Sequence, residues 1–95
     1  MKIEWTDNAI AQLVAIYDYI AKDSSFYAQR VVDRLTRCSR QLADFPMSGR
    51  MVPEYELKEI REVVERPYRI IYRLWPDRVE ILAVIHSAQR MPPEP

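Results

Sequence analysis

The sequence predicts an α+β domain made of a short N-terminal strand, an antiparallel helix hairpin and a three-stranded antiparallel meander. Three observations carry this. Apolar residues recur at helical spacing through the first half of the chain, interrupted only at Asp23-Ser24-Ser25. β-Branched and aromatic residues crowd the second half, as suits a pleated surface. The breaks between the apolar runs of that half, at Pro67 and Pro76-Asp77, are too short for a parallel crossover, which needs about a dozen residues, so neighbouring strands must be antiparallel.

Residues 2–5 alternate polar and apolar, which predicts a strand, and Thr6-Asp7 offers a capping hydroxyl and a first-turn anion to the helix that follows. Ile10, Leu13, Val14, Tyr17, Ile20 and Ala21 recur at the three-and-four spacing of one helical face. After the N-cap-rich Asp23-Ser24-Ser25, a second stripe runs through Ala28, Val31, Val32, Leu35, Cys38, Leu42 and Phe45 until Pro46 ends it. So short a link makes the two helices an antiparallel pair. Gly49, the only glycine, sits in the Pro46-Met47-Ser48-Gly49-Arg50 turn, where positive φ is expected of it, and a loop runs on to about Glu56.

Strands are predicted over 58–64, 68–75 and 79–86. In the second, Tyr68, Ile70, Tyr72 and Leu74 take one face and Arg69, Ile71, Arg73 and Trp75 the other. The third is apolar on both faces from Ile81 to Ile85, which places it in mid-sheet, and residues 91–95 read as a proline-rich tail.

Ninety-five residues make a single domain, 1–95, because so short a chain buries only about three fifths of its unfolded surface and cannot support two cores. Fourteen basic residues balance fourteen acidic ones, and the balance repeats in each half, so the uniform basic field of a protein held on nucleic acid by net charge is missing. No sequence-specific DNA binding by the chain alone is expected. Eleven of the basic residues are arginines, the side chain that grips carboxylates and phosphates with a planar fork, which suits an acidic partner. The lone Cys38 excludes an internal disulfide and multi-cysteine metal sites and fits core packing in a reducing cytosol. With no signal-peptide core and no apolar stretch near 20 residues, no membrane contact and a cytoplasmic location are expected.

Glycine-rich phosphate loops, paired histidines at ligand spacing and nucleophile elbows are missing, so neither cofactor nor metal is expected. What remains for chemistry is a set on the sheet and its exit: Arg61, Arg69, Arg73, His86 and Arg90. His86 is the sole histidine and the natural acid or base near neutral pH, although a strand-end histidine bonded to nearby backbone is the commoner role for a lone histidine. Arg69 and Arg73, four apart on one strand, emerge on one face roughly 13 Å apart, a span suited to two acidic groups on an extended partner. Arg30, Arg34 and Arg37 stripe the second helix opposite its apolar side, where Asp33 is placed to pair with Arg37 and an ordinary solvated face explains them.

Trp5-Thr6 with Ala9, Leu13, Ile16 and Tyr19-Ile20, the Pro46-x-x-Gly49-Arg50 turn, Ile60-Arg61-Glu62, Pro67-Tyr68-Arg69-Ile70-Ile71-Tyr72-Arg73, and the run from Val79 through His86 to Arg90-x-Pro92 together resemble the ParE/RelE toxin superfamily, also called plasmid stabilisation proteins. The resemblance covers nearly the whole chain. It implies two helices packed on a small antiparallel sheet, a growth-arresting toxin of a type II toxin–antitoxin system, and a cognate antitoxin as partner. It also implies one of two targets: DNA gyrase, inhibited without catalysis as by ParE-like members, or ribosome-bound mRNA, cut without metal as by RelE-like members. The positions matching a RelE-like cutting site are Arg61, Arg73 and His86, with Arg90 nearby. Zero net charge favours gyrase, because phosphate neutralisation supplies much of nucleic-acid affinity, and the lysine cluster and C-terminal tyrosine that many ribosome-dependent members of the family carry are also absent, the last tyrosine being Tyr72. Under that reading Arg61, Arg69 and Arg73 serve protein contacts.

Overall fold

The computed structural model describes residues 1–95. Strand β1 (Lys2–Trp5) leads into helix α1 (Asp7–Ala21), followed by α2 (Ser25–Gln41), β2 (Arg50–Met51), β3 (Ile60–Glu65), β4 (Tyr68–Leu74) and β5 (Arg78–His86). The α+β hairpin-and-meander plan is present, and the three long strands fall within two residues of their predicted bounds. Two additions make the sheet five-stranded and mixed, in the order β1-β5-β4-β3-β2. The first strand runs parallel to β5, pairing Lys2 with Arg78 and Trp5 with Ile81; the helix hairpin and strands β2 to β4 lie between them in sequence, far more chain than the dozen or so residues a parallel crossover needs. The two-residue β2 pairs antiparallel with β3, Arg50 opposite Glu62.

Both helices begin as their capping residues dictate. Thr6 Oγ1 accepts from the Ala9 amide at 3.1 Å and Ser24 Oγ from Tyr27 at 3.0 Å, each satisfying a first-turn N–H that has no partner within its helix. On α1, Ala9 is buried, and Leu13, Ile16 and Ile20 pack against the core, so the docked stripe lies one residue away from the predicted one. Ile10 and Val14 are exposed, since a helix apolar over so wide an arc can lay only part of it on the sheet. On α2, Val31, Leu35, Cys38 and Leu42 are buried as expected, while Phe45 lies past the helix end and is exposed.

A bulge in β5 fixes how the sheet meets the hairpin. Tyr72 pairs with Ile81 and Ile71 with Ala83, which leaves Leu82 without a partner on β4. The extra residue shifts the alternation by one, so Val79, Ile81 and Val84 all join the cluster under the helices. The Leu82 carbonyl accepts from Thr6 Oγ1 at 3.2 Å and Asn8 Nδ2 at 2.9 Å, tying the start of α1 to the bulge. A second apolar cluster of Val52, Ile60, Ile71, Ala83 and Ile85 occupies the other face, covered by Tyr55 and Met91. The proline-rich tail therefore folds back, and Tyr55 donates its hydroxyl to the Pro92 carbonyl at 2.7 Å.

Gly49 does not adopt positive φ; the only residue that does is Glu56. Glycine is needed for space: a Cβ there would stand 2.5 Å from the Tyr72 hydroxyl and 2.6 Å from the Glu62 carbonyl oxygen.

Candidate functional site

Arg69 lies on the sheet face away from the helices, where Val64 and Ile85 flank it across the ladder. That face is not open to solvent, because residues of the loop that follows β2 descend onto it. Arg69 Nε and Nη2 bond the Glu62 carboxylate, while Nη1 and Nη2 each reach Glu54 at 3.0 Å. Of the five guanidinium donors four are used, and the side chain is 11% exposed. These hydrogen bonds, from Glu54 first and Glu62 second, raise Arg69 above the ordinary arginine range. Glu54 is correspondingly held below the usual carboxylate range by its bond to Arg69. Glu62, 0% exposed, also accepts from Arg50 Nε at 2.9 Å. The outward-facing Arg69 expected from strand alternation is thus an internal ion-network residue, and the covering loop is the reason.

Arg73 shares that face at the opposite end of β4, half-buried, with Nη1 3.8 Å from Glu59 and its guanidinium 5.4 Å from the Trp75 ring. The other side of the cation-rich cluster is Arg78, 4.8 Å from the same ring. Arg61 pairs across the ladder with Tyr72 and points to the helix side, where Nη1 donates to the Gly49 carbonyl at 2.8 Å and braces the turn. His86 ends β5 in an exposed position. Its Nδ1 accepts from the Ala88 amide at 3.1 Å, and its ring stands edge-on to Tyr68 at 5.7 Å. Arg90 is exposed in the tail, beside Tyr55 and Glu54.

The sheet therefore separates the group that a cutting site would have to gather. Arg61 sits opposite Tyr72 and His86 opposite Tyr68, four residues apart along β4 and so about 13 Å. Arg73 is on the other face. No three His, Cys, Asp or Glu side chains gather as metal ligands.

Sequence reasoning set aside a different group. On α2, Phe26 and Tyr27 are 73% and 52% exposed beside Arg30, Arg34 and Arg37. Asp33 accepts from Gln29 at 2.8 Å and makes no ion pair with Arg37, so Arg30 and Arg37 have no carboxylate within 4.0 Å. The available signal was an arginine at positions i, i+4 and i+7 next to adjacent aromatics at 26 and 27.

Residues 3–91 match the sequence profile of the ParE toxin of the type II toxin–antitoxin system, parDE. The chain belongs to the ParE toxin family. Its relatives among curated proteins include the Sinorhizobium fredii protein named putative toxin Y4kP, 42% identical over 96% of this chain and 93% of that one. Another is Caulobacter vibrioides toxin RelE2, 38% identical over 93% and 97%. The structure is similar to a chain of the chromosomal ParDE toxin–antitoxin system from P. aeruginosa, with TM-score 0.76 and 27% identity over 90% of this chain and 95% of that one. It shares the fold of the YoeB/ParE toxin from Agrobacterium tumefaciens, with TM-score 0.63 and 16% identity over 90% and 98%. This ParE-family protein is thus the toxin of a type II toxin–antitoxin system, which implies a cognate antitoxin as its partner. None of its helices is long and apolar enough to cross a membrane.

Proposed function

We propose that this ParE-family toxin arrests growth by binding and inhibiting DNA gyrase, without bond-making chemistry of its own, and that its cognate antitoxin silences it. The observation that carries the reading is the dispersal of Arg61, Arg73 and His86 over two sheet faces and two strand ends, with Arg90 out in the tail. Acid–base cleavage needs its groups within hydrogen-bond reach of one phosphodiester, about 3 Å from the reacting atoms. The zero net charge supports the same reading, since a protein working against ribosomal RNA gains much of its affinity by neutralising phosphates. Of Arg61, Arg69 and Arg73, the last has only a long contact to a carboxylate, Glu59 at 3.8 Å, and with Trp75 and Arg78 it forms a patch on the sheet suited to an acidic protein surface. The test is a supercoiling assay: purified toxin in molar excess should block gyrase, and undiminished supercoiling would end the proposal.

A second reading, ribosome-dependent mRNA cleavage, draws support from the relative named toxin RelE2. It requires that the dispersed groups be brought together by the ribosome itself. Under it, His86→Ala and Arg73→Ala abolish cleavage of mRNA in a translating extract, and full cleavage by both variants would remove it.

A further inference from the structure

Arg69 is held by two carboxylates of different character. Glu62 is wholly buried on the neighbouring strand β3 and takes Nε and Nη2, so it is a fixed part of the sheet. Glu54 belongs to the loop after β2, its side chain is 43% exposed, and it meets Nη1 and Nη2 with one oxygen each at 3.0 Å. This two-pronged grip is the one in which a guanidinium receives any carboxylate, and one hydrogen of Nη1 still has no acceptor. A loop carboxylate with much of its surface in water is a replaceable partner, because solvent competes for it and screens the pair.

Two hollows open beside the pair, and Glu54, Arg69 and Ser87 line both. One, of about 460 Å³, is bounded by the tail at Arg90 and Pro92. The other, of about 350 Å³, reaches Arg50 and Val64. The Glu54–Arg69 pair is therefore the partition between them. When Glu54 swings out, the hollows join into one groove with the outer prongs of Arg69 at its middle. The Arg50 side chain is 66% exposed, and the exposed Arg90 has no carboxylate within 4.0 Å. With Glu54 displaced, these three arginines share only the buried Glu62.

We propose that the outer prongs of Arg69 form a binding site for a ligand carrying two carboxylates, one on Arg69 and one on Arg90 or Arg50, and that Glu54 is a built-in plug that keeps the site occupied until such a ligand displaces it. Displacement frees the loop after β2 from the sheet. The site is independent of the toxin's target, gyrase or mRNA. Its chemistry is that of a carboxylate because Glu54 already supplies the template. A phosphate dianion is disfavoured, since the Glu62 carboxylate lies against the same guanidinium and repels a second negative charge in addition to the first. The paired carboxylates belong either to a small dicarboxylic acid or to neighbouring acidic side chains of an extended peptide, and the two sources are separable by titration.

The test titrates the purified full-length toxin with succinate at constant ionic strength, following the guanidinium resonances of Arg69 in isotope-labelled protein and measuring affinity by calorimetry. Glu54→Gln and Glu54→Ala should each bind succinate about tenfold more tightly than the wild type, because a tethered competitor at an effective concentration on the order of millimolar is gone. In the wild type the same resonances should shift at correspondingly higher succinate. Arg90→Ala added to Glu54→Gln should lower the gained affinity about threefold. Lys58→Glu added to Glu54→Gln should leave it unchanged, since this exposed cation lines neither hollow. A capped Glu-Ala-Glu peptide titrated in the same way tells the sources apart: tighter binding than succinate assigns the site to an acidic segment, and weaker binding assigns it to a small acid. Folded Glu54 variants that bind both probes no better than the wild type overturn the proposal and leave Glu54 as a loop anchor alone. A larger gain for inorganic phosphate than for succinate overturns the carboxylate assignment, and binding without movement of the Arg69 resonances places the anion elsewhere. If neither Glu54 variant folds, the wild-type titration decides: Arg69 resonances that stay fixed throughout refute the site.

Discussion

The carboxylate of Glu62 and the guanidinium of Arg69 face each other on the sheet surface away from the helices, one wholly buried and the other nearly so. Around them, Glu54 comes from the loop after β2 and Arg50 from the edge strand, so four side chains from four segments share one charge network. This network holds the loop that covers the second apolar cluster.

Removing either central member strands a buried charge. Glu62→Ala and Arg69→Ala are each expected to cost about 3–5 kcal/mol, enough to unfold many small domains. Arg50→Ala should cost less than about 1 kcal/mol, because that side chain is mostly solvated. Urea denaturation followed by circular dichroism measures all three. An Arg69→Ala protein with an unshifted midpoint would mean that the arginine is held in place without stabilising anything.

The same network sets an acid sensitivity. Glu54 has a folded pKa below its unfolded value, so its contribution is present above the unfolded carboxylate range, near pH 4.3, and is lost as pH falls through the lower folded value. Stability should decline below about pH 4.5 in the wild type and more shallowly in Glu54→Gln, which lacks that titration. Parallel declines in thermal melts from pH 6 to 3 would show that other carboxylates govern the acid limb.

Much of this molecule was legible because its period changes from alternating to helical at Thr6 and from helical back to alternating beyond Pro46, and because caps and prolines mark the element ends. The hidden parts depend on contacts between residues distant in sequence. Strand alternation put Arg69 and Arg73 on one face correctly, but nothing local reveals that Glu54 would fold onto that face and convert Arg69 into an interior residue. The Leu82 bulge is equally silent in the sequence, since an apolar run on both faces conceals a one-residue change of phase. The parallel placement of β1 follows from where the hairpin docks. The arginine stripe of α2 was visible, yet the absence of the expected Asp33–Arg37 pair depended on Asp33 turning to Gln29.

Tyr72 and Gly49 test the turn between the helices and the sheet. The Tyr72 hydroxyl donates to the Pro46 carbonyl at 2.7 Å and accepts from the Gly49 amide at 3.1 Å. Tyr72→Phe leaves both groups unsatisfied and should cost about 1–3 kcal/mol. Gly49→Ala should cost a similar 1–3 kcal/mol, because its Cβ meets the hydroxyl and a backbone oxygen. Burial raises the Tyr72 pKa above its ordinary value, so its contribution is complete below about pH 10 and is lost as pH rises through the folded value. Tyr72→Phe should therefore flatten the alkaline decline while lowering stability at pH 7. Equal alkaline slopes in the two proteins would assign that decline to other groups.

The choice of target turns on His86, because the two readings assign it opposite importance while agreeing that it is exposed. If the toxin works by binding gyrase, the imidazole only caps the end of β5, accepting from Ala88 and resting against Tyr68, and His86→Ala should alter growth arrest and gyrase inhibition by no more than about twofold, as surface substitutions usually do. Arg73→Ala, which removes a half-buried cation from the Trp75 patch, should weaken inhibition about tenfold with little change in melting temperature. If the toxin cuts mRNA, both substitutions should abolish growth arrest together, since acid–base groups contribute about a hundredfold or more and fail as a unit. Measuring supercoiling inhibition, mRNA cleavage in a translating extract and growth arrest for the two variants separates the cases. Loss of arrest in His86→Ala, with its fold intact and gyrase untouched by the wild type, would transfer this toxin from the gyrase class to the ribosome-dependent one.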